Sequence, residues 1–166
     1  MRFRATLGAG LLVGMGTVPA AAHGAESTAH LCDIDGDGYA DLVTGAPNAD
    51  GNAPDEVDSG AIVIIPGGPA GPDPGRSWRI TQDVPKTPDR NEVGDGFGST
   101  TLCADLDNDG FGDVVAGAPG ERVSGLDDAG MVFVFYGSPT GFDAQRHQRW
   151  TPQKPKVAGA AVADAR

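Results

Sequence analysis

Positive charge is scarce in this sequence: 12 Lys and Arg stand against 23 Asp and Glu, a net charge of −11. A chain this acidic repels phosphate backbones and anionic lipid headgroups, so nucleic acid and acidic membrane surfaces are not expected partners. Catalytic signatures are missing as well. No Gly-x-Ser-x-Gly elbow and no His-Glu-x-x-His pair occurs, and His23, His30 and His147 stand apart from any nucleophile pattern. The expectation is a chain that is not an enzyme. Gly94-Asp95-Gly96-Phe97-Gly98 is glycine-rich, but it leads into a strand and not a helix, which argues against a phosphate loop. Arg-Gly-Asp tripeptides and Asn-x-Ser/Thr acceptors are absent. The sequence also lacks the apolar stretch of about 20 residues that a membrane span needs. Its longest apolar segment, residues 7–18, is interrupted by glycine, follows Arg2 and Arg4, and ends at Pro19-Ala20-Ala21-Ala22. That is the pattern of an export signal cleaved after residue 22, with no span left after cleavage and a secreted location as the consequence.

Acid is present, and it is concentrated. Asp33-Ile34-Asp35-Gly36-Asp37-Gly38-Tyr39-Ala40-Asp41 recurs 72 residues later as Asp105-Leu106-Asp107-Asn108-Asp109-Gly110-Phe111-Gly112-Asp113, and each copy leads into Gly-Ala-Pro. Carboxylates at positions 1, 3, 5 and 9 repel one another at reduced dielectric and call for a hard cation. Ca²⁺ accepts six to eight oxygens from carboxylates, carbonyls and water, and glycine at position 6 allows the bend. The expected ligands are Asp33, Asp35, Asp37 and Asp41 with the Tyr39 carbonyl, and Asp105, Asp107, Asp109 and Asp113 with the Phe111 carbonyl, two Ca²⁺ sites in all. The aromatic rings at position 7 are expected to turn inward. A helix–loop–helix calcium hand would need Glu at position 12 and a helix beyond it. Thr44 and Ala116 occupy that position, and short apolar runs stopped by Gly and Pro follow, which read as strands.

These residues resemble the FG-GAP repeats of integrin alpha-chain propellers and of many secreted bacterial proteins, Phe97-Gly98 supplying one half of the motif and Gly117-Ala118-Pro119 the other. The resemblance implies an all-β fold of two four-stranded propeller-type blades, with the Asp-rich hairpin of each blade holding Ca²⁺. It divides the chain into a signal peptide at 1–22, repeat 1 at 23–88, repeat 2 at 89–152 and a tail at 153–166 that stands where a third repeat would begin. Repeat 1 has no Phe-Gly before its loop, so its innermost strand is expected to be shortened. Glycine and proline, 26 and 13 residues, serve as turns between strands.

Aligning the copies gives a spacing of 72 for Asp33/Asp105, Gly45/Gly117 and Trp78/Trp150, and of 70 for Gly60/Gly130 and Gly67/Gly137. The loop after Gly-Ala-Pro is two residues shorter in the second copy, with the length expected to be recovered before Trp150. Residues 61–65 and 131–136 are nearly continuous β-branched and aromatic runs, as in strands buried on both faces. The two tryptophans, at matching positions on this alignment, are read as packing residues in preference to ligand platforms. Cys32 and Cys103 fall on opposite parities before their loops, compatible with a bridge between adjacent blades; two free thiols or a link to another chain are the alternatives.

Propellers close with about four to eight blades, so two leave edges and faces uncovered. The expected function is a secreted calcium-binding module with an unidentified protein or glycan ligand, able to self-assemble to complete a propeller. The alternatives are a truncated fragment of, or an accessory unit to, a larger propeller-containing hydrolase of the phospholipase kind.

Overall fold

The computed structural model describes residues 32–83 and 90–153. Expectations that fall on 1–31, 84–89 and 154–166, including the export segment, His23, His30 and nearly all of the tail, lie outside the described residues.

Strands β1 (Leu42–Ala46), β2 (Ala61–Ile65) and β3 (Trp78–Ile80) form one antiparallel sheet in sequence order. Strands β4 (Thr100–Ala104), β5 (Asp113–Ala118), β6 (Met131–Phe135) and β7 (His147–Trp150) form a second. A 3-10 turn at Pro74–Arg76, capped by the Asp73 carboxylate on the Gly75 N–H, is the one helical element among the described residues. The fold is therefore all-β, two blades that do not close a ring. The first blade has three strands where four were expected; residues 28–31, which together with Cys32 would match β4, lie outside the described ones.

Alternation along the strands gives each blade two faces. Ile62, Ile64 and Ile80 of the first blade and Val114, Ala116, Phe133 and Phe135 of the second belong to one buried cluster. Phe97, just before β4, is fully buried in it, edge-on to Phe133 with ring centroids 5.1 Å apart. Burying a phenylalanine side chain contributes about 1.5–3 kcal/mol. The Phe-Gly dipeptide also joins the blades through its backbone. Phe97 forms a parallel bridge with Gly60, its N–H donates to the Ser59 carbonyl at 2.9 Å, and a Cβ on Gly98 would lie 2.4 Å from the Ala61 carbonyl oxygen.

Strand pairing corrects the alignment of the tryptophans. Ile62 pairs with Ile80 and Ile64 with Trp78, whereas Val132 pairs with Trp150 and Val134 with Gln148. The spacing of 70 thus persists through the last strand, and Trp150 occupies the place of Ile80, not of Trp78. A ladder fixes register by pairing and by which face is buried, so a shared residue type two positions away carried no register information. Trp78 packs toward Phe142, ring centroids 6.2 Å apart, while Trp150 is exposed on the opposite side of its sheet. The outward face of β6 is likewise open at Val132, so that run is not buried on both sides.

Candidate metal centres

Each Asp-rich loop folds on its own carboxylates. Asp33 Oδ1 accepts from the Asp37 N–H at 3.1 Å, Asp33 Oδ2 from the Gly38 N–H at 3.0 Å, and Asp37 Oδ1 from the Tyr39 N–H at 2.9 Å. The second loop repeats the pattern: Asp105 accepts from the Asp109 and Gly110 N–H groups at 3.1 and 3.0 Å, and Asp109 from the Phe111 N–H at 3.0 Å. Gly38 and Gly110 have φ of +89° and +92°, the left-handed backbone that position 6 requires. As a result, carboxylate oxygens of Asp33, Asp35 and Asp37 lie within 4.8 Å of one another, and so do those of Asp105, Asp107 and Asp109.

The fourth acid of each loop has a different task. Asp41 accepts from the Ile34 N–H at 2.8 Å and the Gly67 N–H at 2.7 Å, and Asp113 from the Leu106 N–H at 2.8 Å and the Gly137 N–H at 3.0 Å. Each clamps the start of its loop to the turn that follows β2 or β6. Its direct contact with a metal would share oxygens already held by amides.

Burial raises the Asp41 carboxyl above its ordinary value against the two amide bonds that lower it, with Asp35 and Asp33 adding repulsion. Asp107 is raised too, by desolvation and then by the charges of Asp109, Asp113 and Asp105, although its side chain is exposed. The Tyr136 hydroxyl is raised by burial and by Asp113 and Asp107. Like charges held together without a counter-charge oppose ionisation, and a cation offsets that cost. The converging donors are all oxygens, the hard set that suits Ca²⁺.

The position-7 side chains depart from the expectation of inward plugs. Tyr39 is exposed. Phe111 instead lies across the first loop: a Cβ on Gly36 would come within 2.4 Å of its Cε1. Asn108 holds the matching place in the second loop, also left-handed at φ +61°, with room for a side chain. Further contacts seat the first loop on the second repeat, with the Gly112 N–H donating to the Asp33 carbonyl at 2.6 Å and the Ser138 N–H to the Ile34 carbonyl at 3.2 Å.

The structure adds a residue that sequence reasoning missed. Arg76 Nη2 lies 3.2 Å from Asp35 Oδ2, placing a cation at the rim of the first carboxylate group. Its counterpart at a spacing of 70, Arg146, donates to the Gly137 carbonyl instead. No local motif signals the first contact, since 41 residues separate the partners. Cys32 and Cys103 are joined by a disulfide beside Gly112, whose position leaves no room for a side chain: a Cβ there would lie 3.0 Å from the Cys32 Cα.

Comparison with known proteins gives a consistent family. The FG-GAP repeat model matches residues 25–65 and 97–135. Integrin alpha-PS2 of Drosophila melanogaster is 35% identical over 111 residues, covering 66% of this chain and 7% of that protein. Phosphatidylinositol-glycan-specific phospholipase D is 32% identical over 115 residues in Bos taurus and 34% over 115 residues in Rattus norvegicus, in each case over 66% of this chain and 13% of the enzyme. The chain thus spans a small part of the length of these relatives. Among the described residues no helix is long and apolar enough to cross a membrane.

Proposed function

This chain is an FG-GAP repeat protein, and on that premise we propose that it is a secreted, Ca²⁺-stabilised binding module whose two metals are structural. The observation that carries the reading is the pair of carboxylate triads, Asp33/Asp35/Asp37 and Asp105/Asp107/Asp109, built on nearly the same backbone bonds in two places. Asp33, Asp35, Asp37 and the Tyr39 carbonyl would hold one ion, with Asp41 in support; Asp105, Asp107, Asp109 and the Phe111 carbonyl would hold the other, with Asp113 in support. Bound Ca²⁺ supplies charge neutralisation, and the loop it rigidifies fixes the start of β1 or β5. With the shell filled by protein oxygens and water, the metal has a structural part and no Lewis-acid one. Export of the mature chain accounts for both the segment at 1–22 and the disulfide, which persists in oxidising compartments.

The ligand is a protein or glycan. A second reading, an accessory unit working beside a hydrolase, is favoured by the similarity to phosphatidylinositol-glycan-specific phospholipase D; on that reading the catalytic groups belong to the neighbouring domain.

Thermal melting of the purified chain tests the metal assignment. Millimolar Ca²⁺ should raise Tm well above its value in chelator, by a linkage of about 2.7 kcal/mol per site at a hundredfold excess over Kd. Mg²⁺, which demands a tight octahedron, should do far less. Superimposable curves in Ca²⁺ and chelator would reject the reading.

A further inference from the structure

The disulfide joins the repeats at unequal places relative to the two metal loops. Cys32 immediately precedes Asp33, the first acid of its loop, whereas Cys103 lies inside β4, two residues before Asp105. The second loop has a strand to hold its entry: Cys103 is paired with Val114 and Ala104 with Asp113, so Asp105 leaves the end of a laddered strand. At the place matching Ala104, 72 residues earlier, the Cys32 carbonyl accepts from the Asp41 N–H at 2.6 Å, and the bridge fixes the Cys32 side chain to the other repeat.

The backbone at Cys32 needs such a restraint. Its φ is +80°, in the left-handed region that an L side chain adopts at a cost, while Ala104 ends an ordinary strand. From there the chain delivers Asp33 to two tasks: its carbonyl accepts from the Gly112 N–H at 2.6 Å, and its carboxylate accepts from the Asp37 and Gly38 N–H groups that shape the loop. Gly112 fits between loop and bridge, since a Cβ on it would lie 3.1 Å from the Asp33 nitrogen and 3.2 Å from the Cys103 Sγ. The bridge, Gly112 and the first acid of the loop are therefore one packed unit. Cys32 is buried but Cys103 only partly so, which leaves a reductant an approach from the Cys103 side.

We propose that the Cys32–Cys103 bridge is a redox-sensitive positioning device for the first metal site alone: closed, it seats Asp33 for Ca²⁺, and opened by a dithiol it weakens Ca²⁺ at Asp33, Asp35 and Asp37 while leaving the site at Asp105, Asp107 and Asp109 unchanged. The reaction balances between the chain and the dithiol. One thiolate of the reductant attacks a bridge sulfur, forms a mixed disulfide and expels the other cysteine; the second thiol of the reductant then displaces the cysteine that remains. Two electrons and two protons pass to Cys32 and Cys103, and the reductant leaves as its own disulfide. Cys32, once released, relaxes out of the left-handed region, and Ca²⁺ must draw it back to bind. This inference deepens the binding-module reading and rests on it for the identity of the metal.

The test is calorimetric Ca²⁺ titration of the full chain, first oxidised and then held reduced in dithiothreitol without air. Two ions should bind in both states, the first site about tenfold more weakly after reduction, the factor matching one L residue freed from the left-handed region, and the second within about twofold. A second measurement needs no reduced sample to be titrated: the equilibrium between bridge and thiols, set by dithiothreitol and read by mass after alkylation, should shift toward the bridge by the same factor, about tenfold, when chelator is replaced by saturating Ca²⁺. Asp37→Ala should abolish that shift and Asp109→Ala should keep it. Equal affinity of the first site in the two redox states, parallel loss of both sites on reduction, or a thiol–disulfide equilibrium indifferent to Ca²⁺ would each overturn the inference. An oxidised chain that binds no Ca²⁺ rejects the metal assignment and the inference with it, whereas two ions bound equally well in both states reject the inference alone.

Discussion

Gly45 of the first blade and Gly98 of the second meet backbone to backbone: a Cβ built on Gly45 would lie 1.8 Å from the Gly98 carbonyl oxygen. The two glycines belong to the two halves of the repeat motif, so the motif marks the contact between one repeat and the next, and not a feature internal to a single blade.

Gly45→Ala forces that backbone apart and should cost about 1–3 kcal/mol, the range of overpacked positions. Gly117→Ala, at the matching place in the second repeat, meets its nearest atom, the Thr100 Cβ, at 3.7 Å and should change stability by less than about 0.5 kcal/mol. Urea denaturation of the two variants beside the parent gives the comparison. Equal stabilities would mean that the blades do not pack in this register.

The disulfide closes a loop between residues 71 apart. The chain-entropy account gives about 4 kcal/mol for a loop of that length. The paired substitution Cys32→Ser with Cys103→Ser should lower stability by about that amount, and the parent should gain two hydrogens in mass on reduction. Ready alkylation of both thiols in the native chain would contradict the pairing.

Sequence reasoning reached the loops because their spacing is local: four carboxylates and a glycine within nine residues admit few conformations. It reached the strands for the same reason, short apolar runs bounded by Gly and Pro. What it misplaced depends on distant partners. Trp78 and Trp150 align by residue type but not by ladder, because the choice between spacings of 70 and 72 is made by pairing with Ile64 and Val132. Phe111 was expected to turn inward, but that expectation named no partner; its ring lies over Gly36 of the other repeat, a placement set by the angle between blades. Asp41 and Asp113 share a side-chain type with the other loop acids, and only the fold shows that amides 26 and 24 residues away, at Gly67 and Gly137, engage them.

Acid should reach the 51–56 turn through Glu56. Its carboxylate accepts from the Asn91 side chain at 3.0 Å and from the Ala53 and Asn52 N–H groups, and these bonds, that of Asn91 first, hold its pKa below the ordinary value of 4.5. A depressed carboxylate pKa contributes stability that is present above the unfolded value and is lost as pH falls through the folded one. Between pH 7 and pH 5 the difference in stability between the parent and Glu56→Gln should stay constant, and it should shrink below about pH 4.5. A difference that does not change with pH down to the acid transition would show that the charge of Glu56 plays no part.

Arg76 makes the two metal centres unequal. Its guanidinium beside Asp35 opposes a divalent cation in the first loop, and among the described residues no arginine or lysine is ion-paired with the second loop. Arg76→Ala should raise the Ca²⁺ affinity of the first site by about two- to fivefold, as expected for one partly exposed charge worth up to about 1 kcal/mol, with the second site unchanged. Calorimetric titration resolves the two. An affinity that falls would make Arg76 a support of the loop and not a competitor.

Calorimetric Ca²⁺ stoichiometry in three single variants tests the metal assignment most directly. The parent should bind two ions; Asp37→Ala should lose the first site and Asp109→Ala the second, each leaving one ion bound. Asp73→Ala, which removes only the cap of the 3-10 turn, should still bind two. The same stoichiometry and affinity in all three variants would contradict the account.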